Sequence, residues 1–312
     1  TRPEFEMRWS ERIETDLSRR STVIKTERGD VEVAREGDGI PVLMIHGSPG
    51  GFDQGLMYGR HLRDNGCELI ALSRPGFLRT PLSSGQTPTE QADLYAAVLD
   101  ALEIDQVTVL GYSSGGPSAV LFAAHHPGRV RSLLLDSAVL EHYNFSPGLV
   151  ERLLLYSLLF SSFGAWFWHT VSQRWPKVAA SVLVDNSSTD LDKAQRRAAV
   201  EWILDDQERL KVFQGMLTSL IAPWKIRRAG YNNDGDNDND LAPLPIAEIT
   251  CSTMITHGLN DGIVPVELAI RASESLKSAE LVLIDEGHHF LPIDRHFQAA
   301  MERRLQFVHS DK

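Results

Sequence analysis

Gly111-Tyr112-Ser113-Ser114-Gly115 matches G-x-S-x-G. In a chain with 23 glycines such a match is weak by itself. Its setting gives it force. The apolar run Val107–Leu110 leads into it, and Gly115-Gly116-Pro117 opens a helix of small residues after it. A strand that turns abruptly into a helix holds the central serine in a strained conformation, with no room nearby for side chains. Pro117 suits a first helical turn, where its missing N–H has no partner anyway. The helix N-terminus also brings positive dipole to the place where an oxyanion would develop.

A serine nucleophile needs a base, and the base needs an orienting acid. His257-Gly258-Leu259-Asn260-Asp261 follows the strand-like run Thr253–Thr256, and Gly287-His288-His289 follows Leu281–Ile284. Both loops fall at the C-terminal edge of a parallel sheet, the edge where ligands bind. The resulting order is Ser…Asp…His. His288, directly after Gly287, is the expected base, with His289 as the alternative. Asp261 is the expected acid, with Asp136, just after Leu133–Leu135, as its rival. His46-Gly47-Ser48-Pro49-Gly50-Gly51 follows Val42–Ile45. A tetrahedral oxyanion needs two backbone donors. The N–H groups of Ser48 and Ser114 are the candidates, since Pro49 has none.

The elements that must position these residues alternate. Thr22–Thr26 and Val31–Ala34 flank a Gly turn and read as a hairpin. Short apolar runs at Val42–Ile45, Leu69–Leu72, Val107–Leu110 and Leu133–Leu135 are separated by helical spacing, notably Thr89–Leu102 and Gly115–His125. Near-continuous apolar strands alternating with helices predict an α/β fold with a parallel sheet covered on both faces. The alternation stops at 141 and resumes after Pro243, with a helix near Val266–Leu276 and a last one over Asp294–Val308. The expected organisation is a core of residues 1–140 and 245–312 with a helical insertion at 141–244. Within it Asp190–Met216 reads as one amphipathic helix. Tyr231–Asp240 (YNNDGDNDND) reads as an exposed acidic loop. Asp236, Asp238 and Asp240 imitate the start of a calcium loop. The sixth position is Leu241 rather than Gly and the twelfth is Ala247 rather than Glu, so no metal is expected.

Composition sets the outer bounds. The 312 residues carry a net charge of −11, with 42% hydrophobic and 23% charged residues. That is ordinary globular composition. It excludes disorder of the whole chain and gives no basic footprint for nucleic acid. Two cysteines, Cys67 and Cys251, make no disulfide framework and fit a reducing compartment. The first twenty residues hold no apolar signal segment, so a cytoplasmic location is expected. Leu153–Gln173 has no Asp, Glu, Lys or Arg but is broken by serines and Gly164. It reads as a buried helix rather than a membrane span.

Together, HGSPGG (46–51), SRPGF (73–77), GYSSGGP (111–117), HGLNDGIVP (257–265) and EGHHF (286–290) resemble the α/β-hydrolase superfamily, in the small capped esterase- and aminopeptidase-like group. The resemblance implies an eight-stranded, mostly parallel sheet with a helical cap inserted after the sixth strand. It implies Ser113 as nucleophile, His288 as base and then acid, and Asp261 as its orienter, with no metal or organic cofactor. RRAGYNND (227–234) looks like a stretch in some uncharacterised hydrolases of this group, with no role attached. The expected reaction is hydrolysis of a carboxylic ester or lactone with an apolar group. An amidase or aminopeptidase, a C–C bond hydrolase and a non-catalytic ligand-binding protein are the alternatives. Phe163 and Trp166 are the expected pocket-lining residues of the cap. The partner is a small-molecule substrate, with membrane or lipid contact through the apolar cap and the oligomeric state left open.

Overall fold

The computed structural model describes residues 2–143 and 161–310. Helix α1 (Arg2–Arg19) precedes a hairpin of β1 (Thr22–Thr26) and β2 (Gly29–Glu36). Then come β3 (Ile40–Ile45), α2 (Phe52–Tyr58), α3 (Arg60–Arg63), β4 (Cys67–Leu72), α4 (Pro88–Ala101), β5 (Val107–Tyr112), α5 (Gly116–His125) and β6 (Val130–Asp136). Five helices are described before the next strand: α6 (Ser162–Arg174), α7 (Pro176–Ser187), α8 (Lys193–Asp205), α9 (Gln207–Ile221) and α10 (Arg228–Asn239). The chain then adds β7 (Ser252–Gly258), α11 (Val266–Ser275), β8 (Ala279–Ile284) and α12 (Phe297–Ser310).

The eight strands form one sheet in the order β1-β2-β4-β3-β5-β6-β7-β8. β1 and β2 run antiparallel to their neighbours, and every pairing from β4 to β8 is parallel. β5 is buried along its whole length, as befits a strand covered on both faces. Two apolar cores result. One, around Leu43, Val109 and Leu133, lies under α4, α5 and α11. The other, around Met44, Leu110 and Met254, continues into the inserted helices at Val184, Ile203 and Phe213. α1 docks on that second core through Leu17, with the Trp9 ring 5.2 Å from His169 of α6. Local signals set the helix starts. Thr87 and Glu90 form a reciprocal capping box ahead of Pro88 at the start of α4.

Two expectations are corrected. Asp190–Met216 is not one helix. α8 ends at Asp205, and Asp206 starts α9 by accepting the Arg209 N–H (2.8 Å). A capping aspartate interrupts an otherwise continuous apolar stripe. Nor is Tyr231–Asp240 a loop, since α10 runs to Asn239. Its Asn, Asp and Gly residues are poor helix formers, and tertiary bonds hold it. Asn233 and Asn237 both donate to the Gln86 carbonyl, each at 2.8 Å. The apolar run from Leu153 to Phe160 lies outside the described residues. Among the described residues, no helix is long and apolar enough to cross a membrane.

Candidate active site

Ser113 sits where β5 turns into α5, with φ of 53°. That is the left-handed region a non-glycine residue adopts only under constraint from its surroundings. The turn is tight. A Cβ on Gly115 would lie 2.6 Å from the Ile45 carbonyl, and one on Gly47 would lie 3.0 Å from Ser113 Cβ. Only glycine lets the loop after β3 approach the serine this closely.

Three side chains from three strand ends converge. His289 Nδ1 lies 2.8 Å from Asp261 Oδ2, and its Nε2 lies 3.2 Å from Ser113 Oγ. A carboxylate only accepts, so Nδ1 carries the proton and Nε2 is left to accept from the Ser113 hydroxyl. Asp261 is held at both of its oxygens. Its Oδ1 accepts from the N–H groups of Ile263 (2.8 Å) and Val264 (2.9 Å), and His257 Nε2 stands 3.3 Å from Oδ2. Burial works to raise the Asp261 carboxyl, but His289 and His257 outweigh it and hold it below the usual carboxylate range. The inserted helices help to set this geometry. The Ser187 carbonyl, at the end of α7, accepts one N–H from each loop, Gly262 (3.1 Å) and His289 (3.2 Å).

The expected base His288 is not in this constellation. Its N–H donates to Asp294 Oδ2 (3.1 Å), and its Nδ1 accepts the Phe290 N–H (3.1 Å). The ring is buried, with Nε2 3.7 Å from Asp294, and burial lowers its pKa. Glu286, at φ 53°, turns the chain after β8, and it is the second histidine after Gly287 that reaches the serine. Adjacency to the glycine carried no such information. The rival acid Asp136 is also spoken for. Both its oxygens accept from Arg304 Nη2, at 2.7 and 2.6 Å.

The loop His46–Gly51 is fixed by its own network. His46 Nε2 accepts the Arg74 N–H (2.9 Å), so Nδ1 is protonated and donates to the Gly47 carbonyl (2.6 Å). Burial and the Arg74 charge keep this imidazole neutral, its pKa well below the ordinary value. Gln54 accepts the Gly47 N–H and donates to the Pro49 carbonyl. Ser48, an expected oxyanion donor through its N–H, has a buried hydroxyl with no partner among the described residues. Phe163 and Trp166 lie half-buried on α6, their rings 5.9 Å apart.

SRPGF (73–77) and RRAGYNND (227–234) carry no role that the sequence alone reveals. Both supply buried ion pairs to this loop. Arg74 grips Asp234 at 2.7 and 2.6 Å and donates to the carbonyls of His46 (2.9 Å) and Gly47 (3.3 Å). Arg227 grips Asp53 at 3.1 and 2.7 Å and donates to the carbonyls of Ala222 (2.9 Å) and Gly50 (2.5 Å). Bidentate guanidinium–carboxylate pairs of this kind add geometric specificity. A buried arginine amid Pro and Gly was the available signal, but its partner lies far along the chain.

The model of the alpha/beta hydrolase fold family matches residues 40–295. An alpha/beta hydrolase fold protein from Nakamurella multipartita superposes with a TM-score of 0.87 at 32% identity, covering 94% of this chain and all of that one. An uncharacterized hydrolase, YcgS, of Bacillus subtilis is 27% identical over 88% of this chain and 93% of its own length. A 2-hydroxy-6-oxo-2,4-heptadienoate hydrolase of Pseudomonas putida is 24% identical, over 83% of this chain and 86% of its own.

Proposed function

The chain belongs to the alpha/beta hydrolase fold family, and we propose that within it this protein is a serine hydrolase of carboxylic esters or lactones bearing an apolar group. One observation carries the reading: a single imidazole, His289, bridges Ser113 Oγ at 3.2 Å and Asp261 at 2.8 Å. In this mechanism Ser113 attacks the acyl carbon and passes its proton to His289 Nε2. Asp261 holds the imidazole in the tautomer that can accept and stabilises the imidazolium. The N–H groups of Ser48 and Ser114 receive the oxyanion. His289 then protonates the leaving oxygen. The acyl-enzyme is cleaved by a water that His289 deprotonates. The inserted helices, within 141–244, act as a cap over the acyl site.

The experiment is labelling by a fluorophosphonate probe with loss in Ser113→Ala, followed by turnover on p-nitrophenyl esters of graded acyl length, lactones and aminoacyl amides. Absence of labelling would leave a binding protein on a hydrolase scaffold. C–C bond hydrolysis is the second reading, favoured by the likeness to a 2-hydroxy-6-oxo-2,4-heptadienoate hydrolase. Turnover of a vinylogous 1,5-diketone acid faster than any ester would establish it instead.

A further inference from the structure

The flank of the site beside α10 holds two arginines and three carboxylates. Arg227 is matched by Asp53 and Arg74 by Asp234, each in a buried pair. Asp238, one helical turn beyond Asp234, is the carboxylate left over. Its Oδ2 accepts the Ser114 hydroxyl at 3.1 Å. Arg74 is near enough to act on Asp238 through space, but its guanidinium is spent on Asp234 and the two carbonyls. Ser114 follows the nucleophile and carries one of the two N–H groups assigned to the oxyanion. Asp238 is therefore tied through one side chain to the residue next to the nucleophile, a span comparable with the ~8–10 Å over which salt leaves a charge effective.

We propose that Asp238 is a specificity-determining residue of this site, an uncompensated negative charge that disfavours substrates carrying a carboxylate relative to neutral ones of the same length. This rests on the serine-hydrolase reading and adds the charge class of the substrate to it. The oxyanion is common to both kinds of substrate. Repulsion of the oxyanion therefore cancels in their ratio, and repulsion of the substrate's own carboxylate does not.

The discrimination is itself pH-dependent. Burial and then Asp234, from the same helix, push the Asp238 carboxyl up to about 7, against the Ser114 hydroxyl and Arg74. After β6, His142 Nδ1 lies 3.1 Å from the Asp238 main-chain carbonyl. Beside it the Tyr143 phenol is held well above the ordinary tyrosine value, by burial first and Asp238 next. Asp238 is thus neutral below about 7 and charged above it. An aliphatic substrate acid, with an ordinary pKa near ~4.3, stays ionised throughout that range.

The test measures kcat/KM for p-nitrophenyl hexanoate and p-nitrophenyl hemiadipate, wild type and Asp238→Asn, at about pH 6 and about pH 8, with fluorophosphonate labelling of both proteins. The asparagine keeps an acceptor for the Ser114 hydroxyl. The expected neutral-to-anionic ratio rises about fivefold or more with pH in the wild type and stays low and flat in Asp238→Asn. Labelled enzymes with equal ratios at both pH values overturn the proposal. Should Asp238→Asn not fold, a pH-independent ratio in the wild type overturns it unaided. A wild type that takes no label overturns the parent reading, and this one with it.

Discussion

Arg74 and Asp234 stand 160 residues apart in the chain and meet in a bidentate pair, at 2.7 and 2.6 Å, with both side chains almost wholly buried. The same guanidinium spans the carbonyls of His46 and Gly47, directly before Ser48. One side chain thereby fastens the inserted helix α10 to the loop that is to supply an oxyanion donor. Removing one partner of a buried pair strands the other, at a cost of ~3–5 kcal/mol. Asp234→Asn is therefore expected to lower the urea midpoint sharply with little change in slope. Arg74→Met combined with Asp234→Leu recovers most of that stability, because no charge is left stranded. It still leaves the His46 carbonyl without its Arg74 donor and the Gly47 carbonyl with His46 Nδ1 alone, so kcat is expected to stay about tenfold or more below wild type. Recovery of kcat together with stability would separate Arg74 from the loop's geometry.

Two adjacent histidines differ in what their loss does. His289→Ala removes the proposed base and is expected to cut kcat by about 10³-fold or more. His288→Gln is expected to leave kcat within a few-fold. His288 acts on stability, with a known sign. Burial lowers its folded pKa below the ordinary 6.5, so the unfolded chain binds the proton first and stability falls as pH drops below about 6.5. Asp238 works in the opposite sense, its folded pKa of about 7 favouring the folded state as pH falls. The readout is thus the difference between proteins: His288→Gln loses less stability than wild type between about pH 7 and 5. A steeper loss in His288→Gln, or a collapse of kcat, would return His288 to the site.

The strand runs and the strand–turn–helix around Ser113 were legible because burial on both faces writes itself as short apolar blocks. Asp261 was legible because its loop follows such a block. The choice between His288 and His289 was not. Both neighbours are apolar-loop histidines, and the turn at Glu286 decides which one faces the serine. α10 was misread for a related reason. Its periodicity is polar, with Asn233 and Asn237 on the Gln86 carbonyl and Asp234 and Asp238 on Arg74 and Ser114. A search for apolar spacing passes over a helix that packs through hydrogen bonds.

Asp261 and Asp136 separate in the same way. Asp261→Asn removes the acceptor that fixes the His289 tautomer and is expected to cost ~10³–10⁴-fold in kcat with the fold retained. Asp136→Asn leaves Arg304 buried opposite a neutral amide. The expected loss there is one of stability, ~3–5 kcal/mol, read by denaturant unfolding rather than by turnover. Inverted ranks in the two assays would move the acid to the end of β6.

The proposed cap makes the last distinction, between packing and recognition. Phe163 and Trp166 form a half-buried aromatic pair on α6, next to Phe167, which is exposed. An aromatic pair serving only to pack the inserted helices would, when truncated, weaken the fold and treat all substrates alike. A pair lining the acyl site would instead meet successive methylenes of the substrate, each adding ~0.8 kcal/mol on burial, or about fourfold in kcat/KM. Trp166→Ala and Phe163→Ala are therefore expected to raise KM for octanoyl esters several-fold more than for acetyl esters. The acetyl ester is the internal control, since its acyl group has almost no methylenes to bury. Equal changes for both esters, with a lowered melting temperature, would assign the pair to packing.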